Sequence, residues 1–274
     1  MPLLSTRGLC LSLPDRAAQR IFGAPPVIQI LDNIDLEVES GESLGIVGES
    51  GLGKTSLGRT LLRLHRPTAG RLSFEGEDIT DWSPERLRPL RARMQIIFQD
   101  PLSSLNPRQR IGDILAQPLL AFERVPDRKA ARRAALALLE QVRLPPEFAQ
   151  RYPHELSGGQ RQRVGIARAI ALKPRLIVAD EIVSGLDVST QAQILLLLKE
   201  LKQRESLIFI SHDLSVVRVL CDRVVVMNRG RIVESGACEQ VFANPQHEYT
   251  KALLQAIPLP EVDTGWLQNE TSYP

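Results

Sequence analysis

Short apolar runs bounded by Gly, Pro or charged residues alternate along the chain with longer segments whose apolar residues recur at helical spacing. Such runs are typical of strands that are buried on both faces of a sheet. The pattern predicts strands at Ser43–Val47, Met94–Phe98, Leu176–Ala179, Leu207–Ile210 and Val224–Met227. It predicts helices at Thr55–Leu64, Arg128–Val142, Gln160–Leu172 and Ser189–Arg204. Strands that alternate with helices indicate an α/β fold.

Two parts of the chain depart from this alternation. The N-terminal third is richer in strand patterns, and antiparallel strands are expected at Ile30–Val38 and Arg71–Phe74. Residues 101–172 carry helical patterns and several prolines without a clear strand, which predicts a helical subdomain inserted into the α/β core. The sequence from Pro258 onward contains Pro, Gly, Asn, Ser and Thr, so a short, loosely packed tail is expected at residues 259–274.

The composition excludes several classes of protein. Of the 274 residues, 43% are hydrophobic and 24% charged, which is typical of a globular rather than a disordered chain. No apolar run approaches the roughly 18 residues of a transmembrane helix, and the first twenty residues lack the apolar core of a secretory signal. The net charge of +2 gives no case for a nucleic-acid binder. The three cysteines are odd in number and not closely spaced, so neither disulfides nor a metal cluster are predicted.

Residues Gly48–Thr55 match the phosphate-loop pattern G-x-x-x-x-G-K-[ST] between a predicted strand and a predicted helix. Glycines let backbone N–H groups turn toward phosphate oxygens without a Cβ clash, and the start of the helix favours negative charge. The Lys54 ammonium can reach the β- and γ-phosphates, and the Thr55 hydroxyl can ligate Mg²⁺. The pattern therefore predicts a nucleotide site with Mg²⁺ as cofactor.

The strand predicted at Leu176–Ala179 ends in two carboxylates, Asp180 and Glu181. Asp180 can hold Mg²⁺ through water, as the second acidic element of phosphate-loop enzymes does, and Glu181 can serve as general base for the attacking water. Taken alone, such a pair is also typical of a solvated strand end. The long interval between Lys54 and Asp180 again predicts an insertion.

A second glycine-rich segment, Leu156–Gln160, has the sequence Leu-Ser-Gly-Gly-Gln and stands directly before a predicted helix. Ser157 is a favourable N-cap, and the two glycines leave backbone N–H groups bare. The segment predicts a second anion site at a helix N-terminus. The alternative interpretation is a plain capped helix start.

Five elements occur in the order and spacing of the ATP-binding cassette (ABC) ATPases, a family that this chain resembles over nearly its whole length. They are Gly48–Thr55, Gln99, Leu156–Gln160, Asp180–Glu181 and His212. In addition, Ser184–Asp187 is similar to the family's D-loop. The resemblance implies one ABC ATPase domain at residues 1–258, with a phosphate-loop core, an N-terminal antiparallel β subdomain and the inserted helical subdomain.

The resemblance also implies roles for individual residues. Glu181, His212 and Gln99 would be catalytic, and Thr55, Gln99 and Asp180 would hold Mg²⁺. ATP held by the phosphate loop of one subunit would be covered by Ser157 of another. The residues implied in ATP binding are Gly48, Glu49, Ser50, Gly51, Leu52, Gly53, Lys54, Thr55, Ser56, Ser157, Gly159, Gln160 and Asp187.

Further stretches are similar to ATPase subunits of oligopeptide, dipeptide and nickel importers. They are Phe98–Arg108, Arg151–Leu156, Asp187–Ile194, Asn244–Thr250 and Ala256–Pro258. Those systems employ two different ATPase subunits, and this chain is similar to the second. The resemblance implies permease subunits that dock on the face after Gln99, including Leu102–Arg108. It also implies a second ATPase subunit, different or identical, and indirectly an extracytoplasmic solute-binding protein. The expected location is the cytoplasmic face of the inner membrane; the cargo stays open among peptide, nickel, opine and sugar.

Three other functions compete with this interpretation. An export or lipoprotein-release ATPase is disfavoured by Leu102–Arg108. A non-transport ABC ATPase of DNA repair or translation usually carries paired cassettes, zinc modules or long coiled coils, none of which the sequence indicates. A phosphate-loop kinase or GTPase has no use for Leu156–Gln160.

Three positions depart from the family or leave its pattern open. Ile182 replaces the usual Pro after the catalytic Glu, and we expect a less fixed backbone there; if this aims the carboxylate poorly, the chain would be a slow ATPase. Gly185 replaces the commoner Ala of the D-loop. Phe22, the one aromatic residue before the phosphate loop, is a candidate for stacking on adenine or for the core.

Overall fold

Two β-sheets and the helices around them form the part of the chain that the computed structural model describes, namely residues 1–15, 26–100 and 104–256. Phe22, residues 101–103 and the tail 259–274 lie outside these ranges, so the expectations for them stay predictions. Within the described ranges, no helix combines the length and apolar character that a membrane crossing requires.

The larger sheet has six strands in the order β10-β9-β3-β8-β7-β6. Their bounds are β3 Ser43–Val47, β6 Met94–Ile97, β7 Leu176–Asp180, β8 Ser206–Ile210, β9 Arg223–Asn228 and β10 Arg231–Ala237. Neighbouring strands run parallel except β10, which is antiparallel to β9. Every residue of β3, β7 and β8 is buried, as the continuous apolar runs predict. All five strands predicted for this sheet are present, within one or two residues of their expected bounds.

The smaller sheet is antiparallel, with the order β2-β1-β4-β5. Its strands are β1 Leu4–Pro14, β2 Val27–Val38, β4 Ala69–Phe74 and β5 Glu77–Asp78. The sequence pattern predicts β2 and β4 but not β1, which lies between them and pairs with both. Gly8, with φ +57°, coincides with register shifts that interrupt the alternation of β1. The observed architecture confirms the α/β fold class.

Nine α-helices follow in the described ranges: α1 Lys54–Leu61, α2 Pro84–Leu87, α3 Ile111–Ala121, α4 Arg128–Gln141, α5 Gly158–Ile170, α6 Val188–Leu201, α7 Leu214–Leu220, α8 Cys238–Ala243 and α9 Glu248–Gln255. Between β6 and β7, the described residues 104–175 form helices and turns without a strand. The helix predicted to reach Leu64 ends earlier because Arg63 adopts a left-handed φ of +53°.

Two apolar cores lie on opposite faces of the six-stranded sheet. Leu44 and Ile46 of β3 belong to the core shared with the smaller sheet and α1, whereas Val47 belongs to the core formed with α3 to α8. Side chains alternate in this way because successive residues of a strand point to opposite faces. The ends of β3, β6, β7 and β8 are thereby fixed between two packed layers, and the loops that follow them converge at one edge.

Candidate nucleotide-binding and hydrolysis site

The phosphate loop joins the end of β3 to the start of α1. Gly48, Gly51 and Gly53 have φ values of +145°, +82° and +97°, which favour glycine. A Cβ at Gly48 would lie 2.3 Å from the carbonyl oxygen of Met227 in β9, so a larger residue would displace the loop from the sheet. The predicted phosphate loop therefore stands in the predicted place between a buried strand and a helix.

Lys54 lies inside this loop, with only 3% of its surface exposed. Its Nζ donates hydrogen bonds to the carbonyl oxygens of Gly48 at 2.7 Å and Glu49 at 2.8 Å, and lies 3.9 Å from Oε1 of Glu181. Burial lowers the pKa of Lys54, although the nearby charges of Glu181 and Asp180 oppose that shift. The ammonium is held at the loop's centre, where a polyphosphate would meet it.

Asp180 ends β7 and faces the start of α1. Its Oδ1 accepts a hydrogen bond from the Thr55 hydroxyl at 2.9 Å. Burial raises the pKa of Asp180 and the neighbouring Glu181 charge raises it further, against the lowering effects of the Thr55 hydrogen bond and of nearby cations. A hydroxyl oxygen and a carboxylate oxygen thus meet beside the phosphate loop. Such oxygen atoms are the ligands that Mg²⁺ prefers.

The carboxylate of Glu181 lies close to the other two residues predicted to be catalytic, Gln99 and His212. Its Oε2 accepts a hydrogen bond from Nε2 of Gln99 at 3.1 Å and lies 3.7 Å from Nδ1 of His212. The backbone φ of Glu181 is +48°, a left-handed conformation that costs a non-glycine residue about 1–2 kcal/mol. This turn sends the chain away from β7 while the side chain, 14% exposed, stays against Lys54.

The backbone around Glu181 is tied to the fold even though Ile182 stands in place of proline. The N–H of Glu181 donates to the carbonyl oxygen of Ile210 at 2.9 Å, and the N–H of Ser184 donates to that of Glu181 at 3.2 Å. Ile182 itself is 1% exposed and packs in the core formed with α3 to α8. Gly185 has a φ of +73°, so the departure from Ala at this position suits the local turn.

A cavity of about 380 Å³ lies over the phosphate loop. Its lining residues are Ile30, Ser50, Gly51, Gly53, Lys54, Thr55, Ser56, Gln99 and Glu181. Eight of these nine are predicted site residues, and Ile30 of β2 is the addition. Ile30 and Gly53 are far apart in sequence, so the sequence alone does not predict that Ile30 lines the cavity. In the fold, the Ile30 carbonyl oxygen lies 3.0 Å from a Cβ built on Gly53.

Ser157, Gly159, Gln160 and Asp187 are not among the residues that line this cavity. Ser157 caps α5 in a reciprocal pair: its N–H donates to Oε1 of Gln160 at 2.9 Å, and the N–H of Gln160 donates to its hydroxyl at 3.4 Å. Asp187 caps α6 by accepting from the N–H of Thr190 at 2.9 Å. A Cβ on Gly159 would lie 2.2 Å from Cγ2 of Thr190, so α5 begins close against the start of α6.

Two further contacts at the site escape sequence reasoning. The Tyr249 hydroxyl in α9 accepts a hydrogen bond from the N–H of Glu49 at 3.1 Å. The buried side chain of Gln162 donates to the carbonyl oxygen of Phe98 at 3.4 Å and so links α5 to the segment that carries Gln99. Tyr249 belongs to Asn244–Thr250, a stretch that is similar to the importer ATPases. The local sequence does not predict that its hydroxyl contacts Glu49.

A separate cleft of about 780 Å³ lies beside α3 and α4. It includes Arg108, the last residue of the face on which permease docking is expected, together with Arg110, Asp113, Arg132 and Tyr152. Leu102 and Ser103 of that face are outside the described ranges.

Comparisons with known proteins agree with this geometry. The model of the family described as "ABC transporter" matches residues 31–184, and that described as "Oligopeptide/dipeptide transporter, C-terminal region" matches residues 233–272. A putative peptide import ATP-binding protein of Brucella ovis is 51% identical over 264 residues, covering 96% of this chain and 80% of the relative. The oligopeptide transport ATP-binding protein OppF of Escherichia coli is 45% identical over 265 residues, covering 95% and 79%.

Solved structures are similar as well. The dimeric post-hydrolysis state of the ATP-binding cassette MJ0796 bound to ADP and Pi has a TM-score of 0.76 and 27% sequence identity, covering 86% of this chain and 98% of that chain. The cbiO1 structure from Clostridium perfringens has a TM-score of 0.73 and 26% identity, covering 89% and 91%. Motifs, fold and comparisons coincide, and the chain therefore belongs to the ABC transporter family, as an ATPase subunit.

Proposed function

We propose that the cavity over the phosphate loop binds Mg-ATP and hydrolyses it to drive a permease that imports peptides. One observation carries the residue assignment: three separate segments of the chain supply Lys54 and Thr55, Asp180 and Glu181, and Gln99, yet these residues meet at one cavity, which all but Asp180 line and beside which Asp180 contacts Thr55. A purely structural glycine-rich turn would have no need of this convergence.

Each residue has a distinct task in the proposed reaction. Lys54 and the bare N–H groups of the loop bind the β- and γ-phosphates, so Lys54 exchanges its present carbonyl partners for phosphate oxygens. Glu181 accepts the proton of the attacking water as general base. Gln99 and His212, already within 4 Å of its carboxylate, orient that water and contact the γ-phosphate.

The residues fit a bound Mg²⁺. Thr55 and Asp180 present hydroxyl and carboxylate oxygens 2.9 Å apart, and Gln99 adds an amide oxygen at the same edge. When bound with the nucleotide, the metal neutralises phosphate charge. The burial that raises the pKa of Asp180 also means that a cation there would relieve an unfavourable negative charge.

The active unit we propose contains two ATPase subunits. Ser157, Gly159, Gln160 and Asp187 stand at helix starts outside their own chain's cavity, where they are available to cover ATP held by a partner subunit. The solved relative with ADP and Pi is dimeric, which supports this arrangement. The partner ATPase is a different chain or a second copy of this one.

The proposed setting is the cytoplasmic face of the inner membrane, on permease subunits that receive solute from an extracytoplasmic binding protein. Names of the relatives specify peptide import and oligopeptide transport, which favours peptides over nickel and over an export or lipoprotein-release function. Permease docking is assigned to the inserted helices, where the cleft beside Arg108 lies.

The Glu181→Gln variant tests the proposed chemistry. It keeps the shape and most hydrogen bonds of the side chain but removes the base, so ATP hydrolysis is expected to fall by roughly 10²–10⁴-fold. ATP binding is expected to survive because Lys54 and the loop hold the phosphates. Phosphate release and nucleotide affinity are to be measured together, with size-exclusion chromatography in Mg-ATP to detect an accumulating ATP-bound dimer.

Glu140→Gln is the matched control, since Glu140 is an exposed carboxylate of α4 that does not line the cavity. It is expected to hydrolyse ATP at the unmodified rate. Hydrolysis by Glu181→Gln at near the unmodified rate would show that Glu181 is not the base.

A further inference from the structure

The C-terminal helix α9 reaches the phosphate loop through a single side chain. The Tyr249 hydroxyl accepts the hydrogen bond from the N–H of Glu49 at 3.1 Å, across 200 positions of sequence. Glu49 is the second residue of the loop. The contact therefore joins a region that sequence similarity assigns to peptide and nickel importers with the element that binds phosphates.

The backbone of Glu49 is held through both its N–H and its carbonyl oxygen. Tyr249 occupies its N–H, while Nζ of Lys54 donates to its carbonyl oxygen at 2.8 Å. Glu49 does not line the cavity, whereas its neighbours Ser50 and Gly51 do. The tyrosine thus holds the loop from outside the cavity and leaves the inward N–H groups free for phosphate.

The tyrosine is itself placed by a network of hydrogen bonds. The carboxylate of Glu234 in β10 accepts from the N–H groups of Gln246 at 2.8 Å and His247 at 3.0 Å. The Nδ1 of His247 accepts from the N–H of Tyr249 at 3.1 Å, which caps the start of α9. The Tyr249 ring packs against the core formed with α3 to α8. These contacts fix where the hydroxyl points.

We propose that Tyr249 is a positioning residue that keeps the phosphate loop in its phosphate-binding shape and thereby couples nucleotide occupancy to the C-terminal helix. The inference rests on the nucleotide site of the proposed function. Coupling between two sites is reciprocal: if α9 favours nucleotide binding, bound nucleotide must stabilise the attachment of α9 by the same factor.

Tyr249→Phe tests this directly in the full chain, since it keeps the ring and removes only the acceptor. The loss of one hydrogen bond predicts an increase in Kd for Mg-ATP, and in KM, of about two- to tenfold. The kcat at saturating ATP is expected to stay within about twofold, because Tyr249 touches no reacting group. A uniform loss of active protein would lower kcat instead.

Hydrogen exchange distinguishes this role from a purely structural one, because loss of a merely structural tyrosine would not change the effect of nucleotide on exchange. Saturating Mg-ATP is expected to slow exchange of the amides in residues 248–255 of the unmodified chain, and this protection is expected to vanish in Tyr249→Phe. Lys251→Ala is the matched control on the same helix, because the half-exposed Lys251 side chain pairs with the exposed Glu248. It is expected to retain both the affinity and the protection.

Glu234→Gln gives a second route if Tyr249→Phe fails to fold. It weakens the acceptor that holds the start of α9, so it is expected to raise the Kd for Mg-ATP in the same direction. If Lys54→Ala abolishes Mg-ATP binding but Tyr249→Phe keeps both unmodified affinity and α9 protection, this inference is overturned alone. If the unmodified chain binds no Mg-ATP, the proposed function fails first.

Discussion

Asp180 and Lys54 are buried charges at the cavity that we propose to hold phosphates and Mg²⁺. Burial raises the pKa of the first and lowers the pKa of the second, so each charged form is disfavoured where it stands. Both shifts have the direction that a bound Mg-polyphosphate would reverse. The site therefore holds electrostatic free energy that ligand binding can release, at some expense of stability in its absence.

Asp180→Asn is expected to show this trade-off. A raised folded-state pKa means that the favourable contribution of protonated Asp180 is complete below its unfolded pKa of about 3.9 and is lost as pH rises through the folded value. The variant should therefore match the unmodified chain near pH 4 and exceed its unfolding free energy at pH 8, as measured by urea unfolding at a series of pH values. Equal stabilities at pH 8 would contradict this account.

The same variant should lose function while it gains stability. Asp180 is assigned to hold Mg²⁺ through water, and outer ligands of this kind are worth about 10–100-fold in metal affinity or activity. Mg²⁺ titration of ATP hydrolysis at fixed nucleotide is the measurement. The Mg²⁺ concentration that gives half-maximal hydrolysis is expected to rise by about that factor.

The strands that carry the site are the elements that sequence predicts best. Ser43–Val47 is entirely apolar except for its first residue and its glycine, lies between charged residues and a Gly-rich loop, and forms a strand with the predicted bounds. Strand β10, Arg231–Ala237, escapes prediction because it is an edge strand with no buried residue and no apolar run longer than two residues. Edge strands depend on pairing with a neighbour, which local sequence does not encode.

Motifs with local backbone requirements are predictable, whereas contacts across the fold are not. The phosphate loop is recognisable because its glycines need positive φ and close approach to β9. Tyr249 reaches the same loop from a distant helix, and Ile30 of the smaller sheet packs against Gly53 of that loop. Neither contact leaves a periodic signal in the chain.

Helix α5 begins at the segment assigned to the partner's nucleotide, and its first turn permits a sharp test. Ser157→Arg places a bulky side chain where the partner's ATP would dock, so hydrolysis should be blocked while the isolated subunit still binds ATP. Ser157→Ala is the control for capping: it costs the helix about 0.5–2 kcal/mol but adds no bulk.

Nucleotide affinity of the monomer and phosphate release by the assembled pair are to be measured for both variants. Loss of ATP binding in the Ser157→Arg monomer would contradict the assignment of this segment to the partner's site. A block of hydrolysis in Ser157→Ala equal to that in Ser157→Arg would attribute the effect to the helix start instead.

At the scale of the whole molecule, the proposed hydrolysis site is incomplete within one chain. The cavity of the phosphate loop and the capped start of α5 are built on different elements, and none of the described residues that line the cavity comes from α5. Two copies arranged head to tail, or this chain with a related ATPase, would bring each half opposite the other. Cysteine chemistry can detect that pairing.

Ser50→Cys combined with Ser157→Cys should cross-link two subunits only when ATP closes the pair, because a disulfide needs Cα atoms within about 7 Å of each other. The variant is made in a Glu181→Gln, Cys10→Ser background and oxidised mildly with and without Mg-ATP at pH 7.5, and the covalent dimer is measured by non-reducing electrophoresis. Native Cys221 and Cys238 are 7% and 3% exposed, and burial raises the pKa of the Cys238 thiol to about 11, so both should stay unreactive. Either single-cysteine variant should give no dimer. Equal dimer without nucleotide would contradict ATP-driven closure, and no dimer with ATP would contradict the head-to-tail pairing of two copies of this chain.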